Sequence, residues 1–405
     1  MLDLTLKEKK VDVIFAFLFA ILPILMNYRG LFINAAVTLV TLIIPYAIFK
    51  LMRKCFLPVS CFKLLLPMAF FWLFKIIDHG TSVTEVGQVL VYIILFLVFA
   101  AGCIEPRVFV KIVVAISCFA TLCIICQYFC YYILGFHLKM VPTGYLLENS
   151  QQWVQLAQTG KVSVTGRAIG FYRPSAFFLE PSHMFTYLVA PLFYELLSPI
   201  FGTHEKRLSI FLTIGMVLST SGMGIVTVLL VWLLFIAKRG KKNNKFSLKK
   251  FLIPRNLFIL FAAIILFASA FLLTEFLNKS VMRIISSGSD YRNAVEGRIV
   301  GGTNFIMQLS GLNLLIGLSD HYTGLDFHMT GFNATMYKYG IIGTALSYIF
   351  YLRCIIDLKN QFFWLAITIV GLSFFNPHTH GTFYMLFFIV FFLEGYREKR
   401  ASINR

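Results

Sequence analysis

Charge is what this sequence has least of. Only 13% of its 405 residues are Asp, Glu, Lys or Arg, where soluble globular proteins carry about 25%. Acidic residues are the scarcer sign, 18 against 36 basic ones. A chain that is 59% hydrophobic with so little charge cannot clothe a water-soluble surface, which excludes the soluble enzyme and binding classes. The net charge of +18 comes without a basic–aromatic stripe, so nucleic acid is excluded as a partner. The eight cysteines all fall in apolar runs or short basic connections. The two longest polar segments have none, which excludes disulfide-stapled loops there. Cys123-Ile-Ile-Cys126 sits inside an apolar run and reads as core packing. No P-loop, dinucleotide fingerprint or metal-ligand cluster occurs, and the Gly301-Gly302 pair is too little for a nucleotide loop. No cofactor and no metal site are expected.

What the chain does have is long apolar runs. A spanning helix needs roughly 17–25 such residues. Candidates lie near 11–26, 31–51, 61–77, 86–103, 108–135, 184–200, 208–220, 222–237, 254–274, 332–352, 361–375 and 382–394. The segment Met1 to Lys10 precedes the first run without a small-residue cleavage site, so it reads as an uncleaved first helix. The expectation is an all-α polytopic membrane protein of about twelve spans. It forms a single bundle over 1–405, with two large outside loops at 136–182 and 275–331. Both termini then share the cytoplasmic side.

Basic residues test this topology. Loops expected inside hold 25 of the 36 Lys and Arg, as the positive-inside rule asks. Glu205-Lys206-Arg207 and the run Lys238 to Lys250 must both lie inside. The stretch 208–237 between them therefore turns back as a hairpin, broken at Ser219-Thr220-Ser221-Gly222. About thirty residues are too short for two full crossings. A second broken hairpin is expected at Asn376-Pro377-His378-Thr379-His380-Gly381. Broken backbone at membrane depth survives only against protein or a water-filled cavity, so both breaks are candidate cavity walls.

Candidate chemistry concentrates in the outside loops, and long loops in compact proteins are usually functional or disordered. The first loop carries Arg167, Arg173, Glu180 and His183 within seventeen residues. Arginine offers a planar fork suited to phosphate oxygens; the competing reading is anchorage at the headgroup level. Glu180 before Pro181 stands at a helix start, where a carboxylate is either a helix stabiliser or a general base. The second loop carries Arg292, within Asp290-Tyr-Arg292, and Arg298. Surface ion pairing is the first reading of Arg292, and Arg298, opening an apolar segment, is the stronger phosphate candidate. Arg298 to Leu309 is expected as a short helix capped by Gly311. His378 and His380 form a His-x-His pair without a partner cluster, read as cavity lining or proton transfer. Lys338, one to two turns inside its span, is either functional or snorkels to the interface.

Three stretches resemble the Wzy-type repeat-unit polymerases of bacterial O-antigen, capsule and exopolysaccharide synthesis, a family related to the O-antigen ligases. Arg173-Pro-Ser-Ala-Phe-Phe-Leu-Glu-Pro-Ser-His183 resembles the arginine–aromatic–Glu-Pro-Ser stretch before a helix. Ser219-Thr-Ser-Gly-Met-Gly224 is similar to the small-residue break. Gly297-Arg-Ile, Asn313-Leu-Leu-Ile-Gly-Leu318, Phe332-Asn333 and Tyr339-Gly-Ile-Ile-Gly343 follow the second-loop pattern in order. Where the family often carries His-Asn, this chain has Phe332-Asn333.

The resemblance implies a metal-independent, inverting glycosyltransferase. It would join repeat units carried on undecaprenyl pyrophosphate at the outer face of the bacterial cytoplasmic (inner) membrane, with a chain-length regulator protein as partner. The implied catalytic residues are Glu180 as base, Arg173 and Arg298 on the leaving pyrophosphate, and His378 in reserve. Substrate contacts are implied for Arg167, His183, Arg292, Asn333, Lys338 and His380. The rival readings are an O-antigen ligase and a non-enzymatic flippase for lipid-linked oligosaccharide. A flippase would carry its charges inside the bundle with short loops, unlike this chain.

Overall fold

The computed structural model describes residues 2–30, 34–54, 104–146, 172, 174–197, 206–239, 302–318, 329–358, 361–376 and 382–403. The runs expected at 61–77, 86–103 and 254–274 lie outside the described residues. Among the described residues the regular structure is helical, with no strand.

The elements are α1 (Leu2–Leu25), α2 (Ala35–Lys54), α3 (Pro106–Tyr132), α4 (Pro181–Leu197), α5 (Arg207–Leu218) and α6 (Gly222–Arg239). The short α7 (Gly302–Met307) and α8 (Gly311–Ile316) follow. Then come α9 (Gly331–Asp357), α10 (Gln361–Phe375) and α11 (Thr382–Ile403). Two of the described helices, α3 and α9, are long and apolar enough to cross a membrane. α5 has 12 residues, about 18 Å of helix, well short of a 30 Å hydrocarbon core. The hairpin expected at 208–237 is present as α5 and α6, which pack on each other.

Local chemistry explains several ends. Pro106 begins α3 directly after the extended Glu105, where proline's missing N–H costs nothing. Thr330 precedes α9, and its hydroxyl accepts from the Asn333 N–H at 3.2 Å. Gly311 does not close the helix before it: it opens α8, after extended Ser310. The reason is its φ of +55°, a conformation that favours glycine and here turns the chain into a new helix.

The core gathers on α4, which packs against α3, α5, α6, α10 and α11. From Pro181 to Leu196 every residue but Ser182 is buried. A helix apolar on all faces belongs inside a helical assembly, and Pro191 within it is tolerated by that enclosure. Phenylalanine supplies much of the packing. Phe109 of α3 meets Phe387 and Phe391 of α11 edge-on at 5.6 Å, and Phe387 lies 4.6 Å from Tyr187 of α4. The Tyr187 hydroxyl donates to the Ala20 carbonyl at 2.9 Å, so the buried phenol brings no unmet polar group.

The helix ends sort into two sets. At one end Lys50 of α2 pairs with Asp12 of α1. Arg107 of α3 pairs with Glu394 of α11 at 3.0 Å, and Lys206 lies over the Phe235 ring. At the other end the turn after α1 touches the segment after α3, through the bridge between Tyr28 and Leu146. There too the Tyr128 hydroxyl donates to Leu218 O, at the last turn of α5, at 2.9 Å.

Candidate functional site

The Glu-Pro-Ser-His stretch is where the buried α4 meets the second set of ends. The Glu180 carbonyl accepts from the His183 and Met184 N–H groups at 3.1 and 3.2 Å, so Glu180 is the N-cap. Its carboxylate accepts from the Ser182 hydroxyl at 2.7 Å. Both residues are half-buried. The helix dipole favours a carboxylate here, and the hydroxyl fixes its direction.

Polar groups from α10 and α11 reach this turn. Asn376, just past α10, donates its side-chain amide to the Thr186 hydroxyl at 2.7 Å. Thr186 in turn donates to the Ser182 carbonyl at 2.7 Å. Tyr384 of α11 donates to the His183 carbonyl at 2.8 Å. The first turn of α9 packs on the last turn of α10: a Cβ on Gly331 would collide with the carbonyl oxygens of Ser373 and Asn376. The Asn333 side chain lies against Gly302 of α7, whose Cβ would meet its amide nitrogen at 2.6 Å.

The two breaks have different surroundings. Thr220, with φ +57°, turns the chain between α5 and α6. Ser221 caps α6 by accepting from the Gly224 N–H at 3.4 Å. A Cβ on Gly224 would touch Phe185 Cβ of α4 at 3.2 Å, so this break packs against the same helix that carries Glu180. The second break contributes Asn376; residues 377–381 lie outside the described residues.

Glu180 and His183 therefore share one polar turn with Thr186, Asn376 and Tyr384, while the Asn333 side chain lies against Gly302 of α7. His183 is 4% exposed; its ring lies 6.3 Å from that of Tyr384, whose hydroxyl also holds its backbone carbonyl. Lys338 does not share this face: it follows Asn333 by five residues, about 140° around the helix, and its backbone lies against Gly317. Arg167, Arg173, Arg292, Arg298, His378 and His380 lie outside the described residues. Sequence reading missed Gln127, Thr186, Asn376 and Tyr384 as individual contributors. The available signal was the same for each: a hydrogen-bonding side chain inside or bordering an apolar run, which must find a partner when buried.

Behind Glu180, Gln127 of α3 grips the preceding segment. It accepts from the Ala176 N–H at 2.9 Å and donates to the Leu138 carbonyl at 3.2 Å. Ala176 adopts φ +54°, a costly conformation for a residue with a side chain, held here by the bidentate amide. Burial pushes the Tyr172 phenol up to about 12, with Cys130 and Tyr131 adding to it. Tyr172 thus stays a neutral donor at physiological pH.

Thr186 ties α4 to the end of α10, so Thr186→Val is expected to cost about 1–3 kcal/mol through the Asn376 amide it leaves without that acceptor. A thermal-unfolding comparison in detergent checks this, and an unchanged midpoint would refute it.

The arrangement offers a carboxylate oriented by a hydroxyl, on a rigid helix end, beside amide and phenol donors. Among the described residues no group of three or more His, Cys, Asp or Glu is arranged to hold a metal ion. No family model, curated protein or solved structure matches the chain.

Proposed function

We propose that this chain polymerises undecaprenyl-pyrophosphate-linked repeat units into a surface polysaccharide at the outer face of the bacterial cytoplasmic membrane. The observation that carries the reading is the Glu180–Ser182 pair, at the half-open end of a helix otherwise enclosed on every side. The acceptor sugar hydroxyl attacks the anomeric carbon as the bond to the pyrophosphate oxygen breaks. Glu180 takes the hydroxyl proton, and the lipid pyrophosphate departs with the electron pair. One displacement inverts the anomeric configuration. Arg173 and Arg298, with Arg167 next, would stabilise the charge on the leaving oxygens.

A twelve-span bundle with cytoplasmic termini fits several features. Large apolar side chains such as Phe119, Leu122, Ile210, Ile214, Leu229 and Leu230 are exposed along α3, α5 and α6, as lipid-facing helices require. The end bearing Lys50, Arg107 and Lys206 is the one whose connections are basic, which favours the cytoplasm. The end bearing Glu180 then faces outward, where the lipid-linked donor is presented.

The test is a gel of surface glycan from cells with and without the chain. Collapse of a polymer ladder to single repeat units on their final carrier is the expected result. Repeat units stalled on the lipid would refute the polymerase. Their accumulation outside would point to a ligase, and inside to a flippase.

A further inference from the structure

The C-terminal turns of α3 end in a cluster of rings whose inner member, Tyr172, is buried and whose outer members are not. Tyr131 stacks on Tyr172 at 4.3 Å and 20°, and Tyr128 stacks on Tyr132 at 5.9 Å and 4°. His137 lies 4.7 Å from the Tyr131 ring and 5.2 Å from that of Tyr172. Tyr128 meets Tyr172 edge-on at 5.9 Å, tying the two stacks together. One side of the cluster is packed, with Tyr172 buried, and the other is open: Tyr132 is 61% exposed, and His137 is exposed.

From these contacts we infer that Tyr128, Tyr131, Tyr132, His137 and Tyr172 form a saccharide platform that takes a pyranose ring of the glycan acted on at Glu180; that last clause rests on the proposed function. The negative face of an aromatic ring attracts the slightly positive C–H face of a sugar. Phenol and imidazole groups at the rim match its hydroxyls. A bilayer-surface belt distributes single aromatic residues along the interface. Here rings from two segments forty residues apart converge on one patch, with hydrogen-bonding groups in it.

The platform is also tied to the chemistry. Gln127, one helical turn before Tyr131, holds Ala176, and Glu180 lies four positions beyond Ala176, at most about 14 Å of chain. The platform thus lies at the same end of the bundle as the carboxylate.

The test uses the full chain purified in detergent. The probes are maltoheptaose, chitopentaose and the repeat unit released from the host's surface glycan, with binding read by saturation-transfer NMR. Wild type is expected to bind at least one probe. Tyr131→Ala and Tyr132→Ala should each weaken binding about tenfold, while Tyr132→Phe stays within about twofold. Circular dichroism confirms the fold, which the exposed Tyr132 ring should not control. Absence of binding by wild type, or equal binding by the alanine variants, overturns the platform. So does a loss confined to association with anionic-lipid vesicles, which would make the cluster an interfacial anchor. If cells without the chain keep their polymer ladder while the probe results hold, the polymerase reading fails and the platform stands.

Discussion

Glu180→Gln is expected to abolish long polymer while the protein stays folded in the membrane at normal abundance. Glutamine keeps the size of the side chain and an oxygen that can accept from Ser182, now at 2.7 Å from the carboxylate. The backbone carbonyl that starts α4 is untouched. What is lost is the ability to take a proton, and a positioned base is worth about 10²–10⁴-fold. The ladder of surface glycan reads the effect, with membrane abundance of the variant as the control. Ser182→Ala separates orientation from chemistry. It removes the hydroxyl that aims the carboxylate and should shorten or thin the polymer without eliminating it. Wild-type ladders from Glu180→Gln would remove Glu180 from the mechanism, whatever became of Ser182→Ala.

Gly340→Ala is expected to be strongly destabilising, although it adds only one methyl group. Gly340 breaks α9 internally, with φ 61° and ψ −165°, a region open essentially to glycine alone. It faces Gly317, which closes α8 at φ 78° and ψ 179°. A Cβ on Gly340 would run into the Leu315 carbonyl, and one on Gly317 into the Lys338 carbonyl. The backbones interlock through both glycines, and Leu318 N–H donates to Tyr337 O at 2.9 Å. Backbone strain and overpacking together predict a loss of about 2–6 kcal/mol. Gly371→Ala is the matched control. It lies in α10 with nothing within 4 Å of its Cβ, so helix propensity should make it neutral or slightly stabilising. Thermal unfolding of both variants in detergent decides the matter, and equal midpoints would refute the interlock. Because the first segment of α9 carries Asn333 to the α10 end, Gly340→Ala should also impair polymer formation.

Much of the helical pattern was legible from hydropathy. The run expected at 361–375 is α10 (Gln361–Phe375), and that at 222–237 falls within α6 (Gly222–Arg239). Apolar length is a local property, and a helix satisfies its backbone within itself. The break at Ser219 to Gly222 was equally local, because small polar residues interrupt the apolar run. The kink at Gly340 was not legible, since a glycine inside an apolar helix looks the same whether or not another backbone presses on it. The expected span at 332–352 therefore read as one rod, where the structure has two helical pieces joined at Gly340.

The candidate site divides in the same way. Glu180, Ser182 and His183 stood out in sequence because a charged, proline-marked stretch borders an apolar run. That Asn376 reaches Thr186 across 190 residues, or that Tyr384 holds the His183 carbonyl, has no local signature. Nor do the stacked rings of Tyr131 and Tyr172. By itself the sequence determined where the long apolar helices run, the break at Ser219 to Gly222 and which ends carry basic charge, because those depend on neighbours along the chain. Only the tertiary structure decided which polar side chains meet around the first turn of α4. Partner choice for a buried hydrogen-bonding group depends on which helix faces it, and that follows from packing the whole bundle.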